Sequence, residues 1–562
     1  MDLQYFLGNS YFLTSFVATF LFFALNVVLV VYYLKSSKAS SPSVHIPDIL
    51  YLVFSVAFLI ILRWYTLHCE ITNLDESFHL AIAQSFSSGH HFWIDFDPSS
   101  VGPVNTLIFY VASLFTGEMS YFTAKLVALL ILIITQIYMY LALIRVCSRS
   151  VAIPLLSCFA FYMVQPWSAP VVSYNSEYSL FLFLSIYLFL YARFNESKVA
   201  RIFSFGVLAV LPFCKLQFAP LALFLYIFGL WKLFRRGSAS LFWKEFILVL
   251  LISSLPPVLL IIDCVIHDSF IWFYRFFFQN MVSYVDVKVT AGDYWKNLMY
   301  MAEDNLFLII FSLMIILLSL LAIGLRKWRI VLFVWLILSI SLYEVLKPNF
   351  PFLHYLNILI LPCIFCVSIL ASAVKSRLVY AVVAVISLGY QTVHIYDYDK
   401  DFDHRLAILT GSTSGSFWKS VALDIKKMSL PGDHMAVWGW VDELYVYSGI
   451  PSGTAEIAIG GFVPSKLIDR HYPSYTLEKY RDDLINNKPR FFVDTPSPVT
   501  KIYDSYSYSV IYHPEISGII KDNYHIKKQY FYPVDNVSGC DFSLKGDDQK
   551  GCVITLYELN QS

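Results

Sequence analysis

The chain has 562 residues, 58% of them hydrophobic and only 14% charged, and its formal net charge is zero. Globular chains carry about 25% charged residues, so this composition excludes a large soluble protein and fits an integral membrane protein with many spans. With no net charge, the whole-chain balance argues for no nucleic-acid partner.

Apolar runs at residues 11–34, 49–67, 121–144, 151–165, 178–192, 202–214, 217–231, 246–262, 305–325, 330–346, 352–372 and 378–395 read as spans, about twelve in all. The first run is too long for the core of a cleavable signal and has no basic flank before it. Loop 68–120 opens with Asn73-Leu74-Asp75-Glu76-Ser77-Phe78-His79. Asn73 followed three residues later by Glu76 predicts a capping box and a helix to about Ser88, with Gly89 as its stop. Asp75 and Glu76 then lie in the first turn, where the helix dipole favours their ionised forms. A carboxylate held at a defined place is what a general base requires, and simple helix capping is the alternative for Glu76. His79 lies one turn after Asp75 on the same helix face, where it could orient that carboxylate. Further along the loop, Val104 to Phe115 is apolar but too short to cross, and is predicted to lie along the membrane surface.

The 202–231 stretch is long for one helix and short for two. Pro212 and Pro220 flank Cys214-Lys215 in its middle, which predicts a break there. Alternate loops are basic, with Lys35 and Lys38, Arg145 and Arg149, Arg235 and Arg236, Arg326 and Lys327, and Lys375 and Arg377. These should face the cytoplasm. The other loops are acidic and aromatic, with Asp75, Glu76, Asp95, Asp97, Glu177, Asp263 and Asp293, and should face out. This orientation requires the 202–231 stretch to cross twice and puts Lys215 at the outer side. Loop 263–304 contains the aromatic segment Ser269 to Asn280, including Trp272, Tyr274 and Arg275, which suggests another interface helix.

After Ile395 the composition turns polar and no span follows. The expected organisation is a transmembrane domain over 1–395 and a soluble, extracytoplasmic α/β domain over 396–562. Helices are predicted near Ser416–Met428, Asp442–Ser448 and Thr476–Asn487. Strands are predicted at His434–Trp440, Arg490–Asp494, Ser509–Tyr512, Ile526–Tyr532 and Cys552–Leu559. Seven cysteines lie in or beside apolar segments, as small buried hydrophobes do. Cys540 and Cys552 lie in the tail and could form a disulfide if that tail is extracytoplasmic.

In their order along the chain, several motifs resemble those of polytopic GT-C type glycosyltransferases, and within them the bacterial aminoarabinose transferase and protein O-mannosyltransferase group. Leu74-Asp75-Glu76 is similar to that family's acidic motif, and Gly102-Pro103-Val104 with Leu107-Ile108-Phe109-Tyr110 to its surface helix. Tyr174-Asn175-Ser176-Glu177 resembles its second acidic position. The segment from Ala209 to Lys215 resembles a lysine-bearing stretch, and Trp272 to Phe278 its aromatic interface helix. Lys347-Pro348 with His354-Tyr355 and Pro362 resembles a late span. Pro431-Gly432-Asp433 with Val437-Trp438-Gly439-Trp440 resembles the start of an outer domain. Two positions depart from the pattern: Val101-Gly102 where a basic residue often precedes the proline, and Gln279-Asn280 where Glu-His often ends the aromatic helix.

The resemblance implies an inverting transfer of a sugar from a polyprenyl-phosphate carrier to a hydroxyl of a cell-envelope lipid, glycan or protein, outside the cytoplasmic membrane. Asp75 is the choice for the base, with Glu76 beside it; Glu177 could support the acceptor or share a site with Asp75, and its alternative is a solvated residue at the end of a span. A departing phosphate needs positive charge, and Lys215 and Arg275 are the first choices. Their alternatives are snorkelling to headgroups for Lys215 and interface anchoring for Arg275. Tyr274, Lys347, His354, Tyr355 and His79 complete the expected substrate contacts. A divalent metal ion could sit on Asp75, Glu76 or Glu177, but no dense ligand cluster accompanies them and none is assigned. Rival readings are a flippase or transporter of a lipid-linked saccharide, or a polymerase or ligase of one. A transporter should hold its polar residues near mid-membrane, a transferase near one face.

Overall fold

The computed structural model describes residues 3–36, 42–68, 74–98, 102–165, 176–236, 239–280, 290–303, 305–348, 353–396, 416–457, 474–500, 505–507, 509–533 and 551–560. In chain order the helices begin with α1 (Leu3–Lys35), α2 (Ile46–Arg63), α3 (Leu74–Ser87), α4 (Pro103–Thr116), α5 (Tyr121–Val146), α6 (Arg149–Met163) and α7 (Ser176–Ala192). They continue with α8 (Lys198–Cys214), α9 (Ala219–Phe234), α10 (Ala239–Ile266), α11 (Phe270–Phe273), α12 (Ala291–Ala302), α13 (Leu306–Gly324) and α14 (Trp328–Leu346). Then follow α15 (Asn357–Val374), α16 (Arg377–Tyr396), α17 (Ser416–Met428), α18 (Glu443–Ser448), α19 (Ser474–Asn487) and α20 (Pro514–Asn523). The strands are β1 (Met435–Trp438), β2 (Phe491–Asp494), β3 (Ser497–Thr500), β4 (Ser505–Ser507), β5 (Tyr524–Pro533) and β6 (Gly551–Leu559).

Among the described residues, nine helices are long and apolar enough to cross a membrane. The chain is therefore a multi-pass membrane protein. Of the twelve expected spans, those carried by α6, α7 and α8 are helices of only 15, 17 and 17 residues. At about 1.5 Å per residue these fall short of a hydrocarbon core of roughly 30 Å.

The chain forms two compact units, one of residues 1–69, 125–259 and 288–412, the other of residues 70–124, 260–287 and 413–562. In the first unit α15 is the centre. It is buried along almost its whole length and packs against α6, α7, α13 and α14. Its sequence explains this: only Asn357 and Ser368 among its buried residues carry a polar side chain. Pairs of opposite charges are buried inside this unit. Asp48 of α2 takes a bidentate grip from Arg149 of α6 (Nε–Oδ1 2.8 Å, Nη2–Oδ2 2.9 Å). It also accepts from the hydroxyls of Tyr33 and Tyr140, each at 2.6 Å. Arg201 and Glu245 form a second buried pair (2.8 and 2.7 Å). An unpaired charge at either place would cost several kcal/mol.

In the second unit a four-stranded sheet has the order β1-β2-β6-β5, with β1–β2 parallel and the other pairs antiparallel. Ala436, Trp438, Tyr480, Leu484, Phe492, Ile516, Ile520 and Tyr524 make its core. The expected helices at 416–428, 442–448 and 476–487 are present, as are four of the five strands. Ser509–Tyr512 is the exception: Val510–Tyr512 is a 3-10 turn. There Ser509 Oγ and the Val510 N–H both donate to the Asp494 carboxylate, at 2.5 and 3.1 Å. These local bonds replace a strand ladder. Helix α20 and the β3–β4 hairpin were not expected from the sequence.

Candidate active site

The break between α8 and α9 builds the polar centre of the first unit. Pro212 lies inside α8, Pro220 opens α9, and Lys215 between them is extended (φ −163°, ψ 128°). The break turns the lysine inward, where it is 6% exposed. Its Nζ lies 3.0 Å from Glu177 Oε1 in the first turn of α7, and Glu177 is fully buried. The same ammonium sits 4.7 Å over the Tyr355 ring, and His354 packs edge-on against Tyr355 and acts on the charge of Glu177. Four of the residues singled out in the sequence thus meet: Glu177, Lys215, His354 and Tyr355. One oxygen of Glu177, Oε2, has no hydrogen-bond partner among the described residues. Lys347 follows the last turn of α14, and no described residue bonds or pairs with its ammonium.

Glu344, which the sequence reading passed over, belongs to this unit's polar interior. Its Oε1 accepts the Leu221 N–H at 2.8 Å at the start of α9, and its carbonyl accepts from Gln217 Nε2. A carboxylate in the apolar run of α14 was a visible signal.

In the second unit α3 carries Asp75, Glu76 and His79. Glu76 is fully buried, His79 nearly so and Asp75 half-buried. The expected cap, Asn73, lies outside the described residues. The predicted stop is present: Gly89 has φ +89°, a conformation that glycine adopts without steric cost. Helix α3 packs on α18. This brings Asp442 and Glu443, a second adjacent acid pair, to the first. Asp442 is 1% exposed, and neither of its carboxylate oxygens has a hydrogen-bond partner among the described residues. Burial, and then the charges of Glu443 and Asp75, hold its carboxyl well above the usual range. Burial likewise pushes Glu443 up to about 7. Ser77 and Tyr121 share a hydrogen bond of 2.7 Å, and the Tyr121 ring lies 5.2 Å from that of Tyr447. Asp442-Glu443 repeats the Asp75-Glu76 pattern in sequence, but periodicity could not show that the two pairs meet.

Arg275 lies on a π-helical turn, Tyr274–Gln279, that continues α11. Its guanidinium carbon is 5.0 Å from the Trp272 ring centre and 5.1 Å from that of Tyr475. Tyr274 points away from the core and is 53% exposed. Nearby, Trp93 is buried against Phe273 and Phe277. His90 Nε2 meets His434 Nε2 at 3.0 Å. Burial lowers His90 from its ordinary range, Asp95 opposes this, and His434 and His91 add to it.

Among the described residues no group of three or more His, Cys, Asp or Glu side chains is arranged to hold a metal ion. The Cys540–Cys552 pairing lies outside the described residues.

No protein-family model and no curated protein matches the chain. Solved structures do. ArnT from Cupriavidus metallidurans bound to undecaprenyl phosphate is 14% identical, with a TM-score of 0.52, over 90% of this chain and 98% of ArnT. The same protein in the apo state is 12% identical, with a TM-score of 0.51 and the same coverage. The arabinofuranosyltransferase AftD from Mycobacteria is 14% identical, with a TM-score of 0.49, over 91% of this chain; the chain spans only 40% of AftD's length. Over 90% of its length the chain therefore has a fold similar to that of ArnT, a fold of the GT-C type.

Proposed function

We propose that this protein is an inverting glycosyltransferase. It moves a sugar from a polyprenyl-phosphate carrier to a hydroxyl of a cell-envelope acceptor on the outer face of the cytoplasmic membrane. The observation that carries this reading is the likeness to ArnT over nearly the whole of both chains, since that protein was captured with undecaprenyl phosphate.

In this reading the Asp75 carboxylate accepts the proton of the acceptor hydroxyl. The hydroxyl oxygen forms a bond to the anomeric carbon from the face opposite the carrier. The carbon–oxygen bond to the phosphate breaks, and the phosphate leaves with the electron pair. In-line attack inverts the centre. Developing charge on the phosphate is met by Arg275 and Lys215, which act as preplaced cations. Glu177 neutralises Lys215 until the phosphate arrives. Glu76 supports Asp75, and His79, Tyr274, Lys347, His354 and Tyr355 contact the substrates. The tail lies outside the membrane, as the basic loops between spans argue.

The test is transfer by the purified protein from a panel of polyprenyl-phosphate sugars. Asp75→Asn is expected to lose about 100-fold or more in rate, the usual worth of a positioned base, while donor binding persists. Equal product from both proteins overturns the assignment of Asp75.

A further inference from the structure

The turn that carries Arg275 is held by the tail. Within it the Asn280 N–H donates to the Arg275 carbonyl, the wide bonding of a π turn. Such turns are rare and recur at functional positions. Tyr475 stands in the first turn of α19 and is 8% exposed. Its hydroxyl oxygen lies 3.1 Å from the Arg275 carbonyl oxygen and 2.6 Å from Asn280 Oδ1. It thus touches both ends of the turn. A hydroxyl has one proton, so it donates to one of these acceptors at a time. The ring of Tyr475 also takes the Arg275 guanidinium at 5.1 Å, with Trp272 at 5.0 Å as the other aromatic neighbour. Phe276 packs at 6.4 Å from the same tyrosine. One turn along α19, Lys479 lies 5.5 Å over Trp272 and is paired with Asp483.

An arginine side chain gives up rotamer freedom when it grips a phosphate, and a pre-held guanidinium has less to lose. Two aromatic neighbours and a tethered backbone turn supply that restraint here. We propose that Tyr475 is a positioning residue for Arg275, so that the tail helix α19 tunes affinity for the phosphate of the donor. The chemistry recognised is a phosphate monoester or diester on a polyprenyl chain. The inference rests on the reading of Arg275 as a phosphate-binding cation.

The test measures the Kd of the full-length protein for undecaprenyl phosphate in detergent, together with KM and kcat for the sugar-loaded donor. Tyr475→Phe keeps the ring and removes the hydroxyl. It is expected to weaken binding and raise donor KM by about fivefold to tenfold, the worth of one good hydrogen bond, with kcat within about twofold. In an Arg275→Ala background the same change is expected to add nothing further, because its effect passes through Arg275. An unchanged Kd for Tyr475→Phe overturns the proposal, and so does full additivity with Arg275→Ala. If Arg275→Ala alone leaves Kd unchanged, the reading of Arg275 falls and the proposal with it. If Arg275→Ala weakens binding and Tyr475→Phe does not, only the proposal falls. Should Tyr475→Phe melt without cooperativity, Asn280→Ala removes the other end of the same contact and carries the test with the same expected loss.

Discussion

Glu443 shows how one side chain in the tail couples folding to pH. Burial raises it from 4.5 to about 7. The folded protein therefore favours its protonated form. Its contribution is fully present below about pH 4.5 and is lost as the pH rises to about 7, at about 1.4 kcal/mol for each unit of difference. Glu443→Gln mimics the protonated form and escapes that loss. At pH 8 the variant is expected to be more stable than wild type by up to about 3 kcal/mol, and at pH 4.5 nearly equal to it. Thermal melts across this range check the prediction, and parallel curves for the two proteins would refute it. The residues that set this behaviour were hard to read from the chain. Asp75-Glu76 stood out because it interrupts a hydrophobic sequence just past a span. Asp442-Glu443 sits in a polar tail, where an acid pair draws no notice until burial is known. Tyr475 has no sequence signal at all, because what distinguishes it is a contact with a turn some two hundred residues earlier.

At the scale of the element, the break at Lys215 was legible because two prolines flank it and a lysine in an apolar run needs a partner. Its partner was not legible, since no periodicity specifies how the break that holds Lys215 packs against the first turn of α7 that holds Glu177. The pair now permits a test. Lys215→Ala leaves Glu177 buried without its counter-charge, which is expected to destabilise the first unit by about 3–5 kcal/mol. Adding Glu177→Gln should return part of that loss. Melting of the detergent-solubilised variants decides it: a single mutant that melts with wild type would show that the pair contributes little. The tail elements divide in the same way. Helix α17 was predicted near its observed bounds, Ser416–Met428. Ser509–Tyr512 was misread as a strand because its apolar residues look the same in a strand and in a turn tied down by Asp494.

At the scale of the whole molecule, orientation follows from loop charge. Lys35, Arg145, Arg235, Arg236 and Lys375 are expected on the cytoplasmic side. An alkaline phosphatase fused after Asn560 is expected to be active, and one fused after Arg236 inactive. The opposite result would reverse the orientation and remove the outer-face placement of the reaction. The number of spans was less legible than their order. α6, α7 and α8, of 15, 17 and 17 residues, are as long as or longer than the apolar runs read at 151–165, 178–192 and 202–214, yet at about 1.5 Å per residue they remain short of a hydrocarbon core.

The second compact unit is gathered from three stretches: 70–124, 260–287 and 413–562. Its sheet and the helix that meets α3 are encoded last, while α3 itself is made near the beginning. During synthesis, then, the acid pair on α3 leaves the ribosome long before α18 exists to cover it. Half-made chains lack the cover over Asp75 and Glu76, and a protein cut short after the final span lacks the tyrosine that braces Arg275. On the proposed roles of Asp75 and Arg275, a chain ended before α18 and α19 is expected to be inactive, because the contacts of both residues with the tail are then missing.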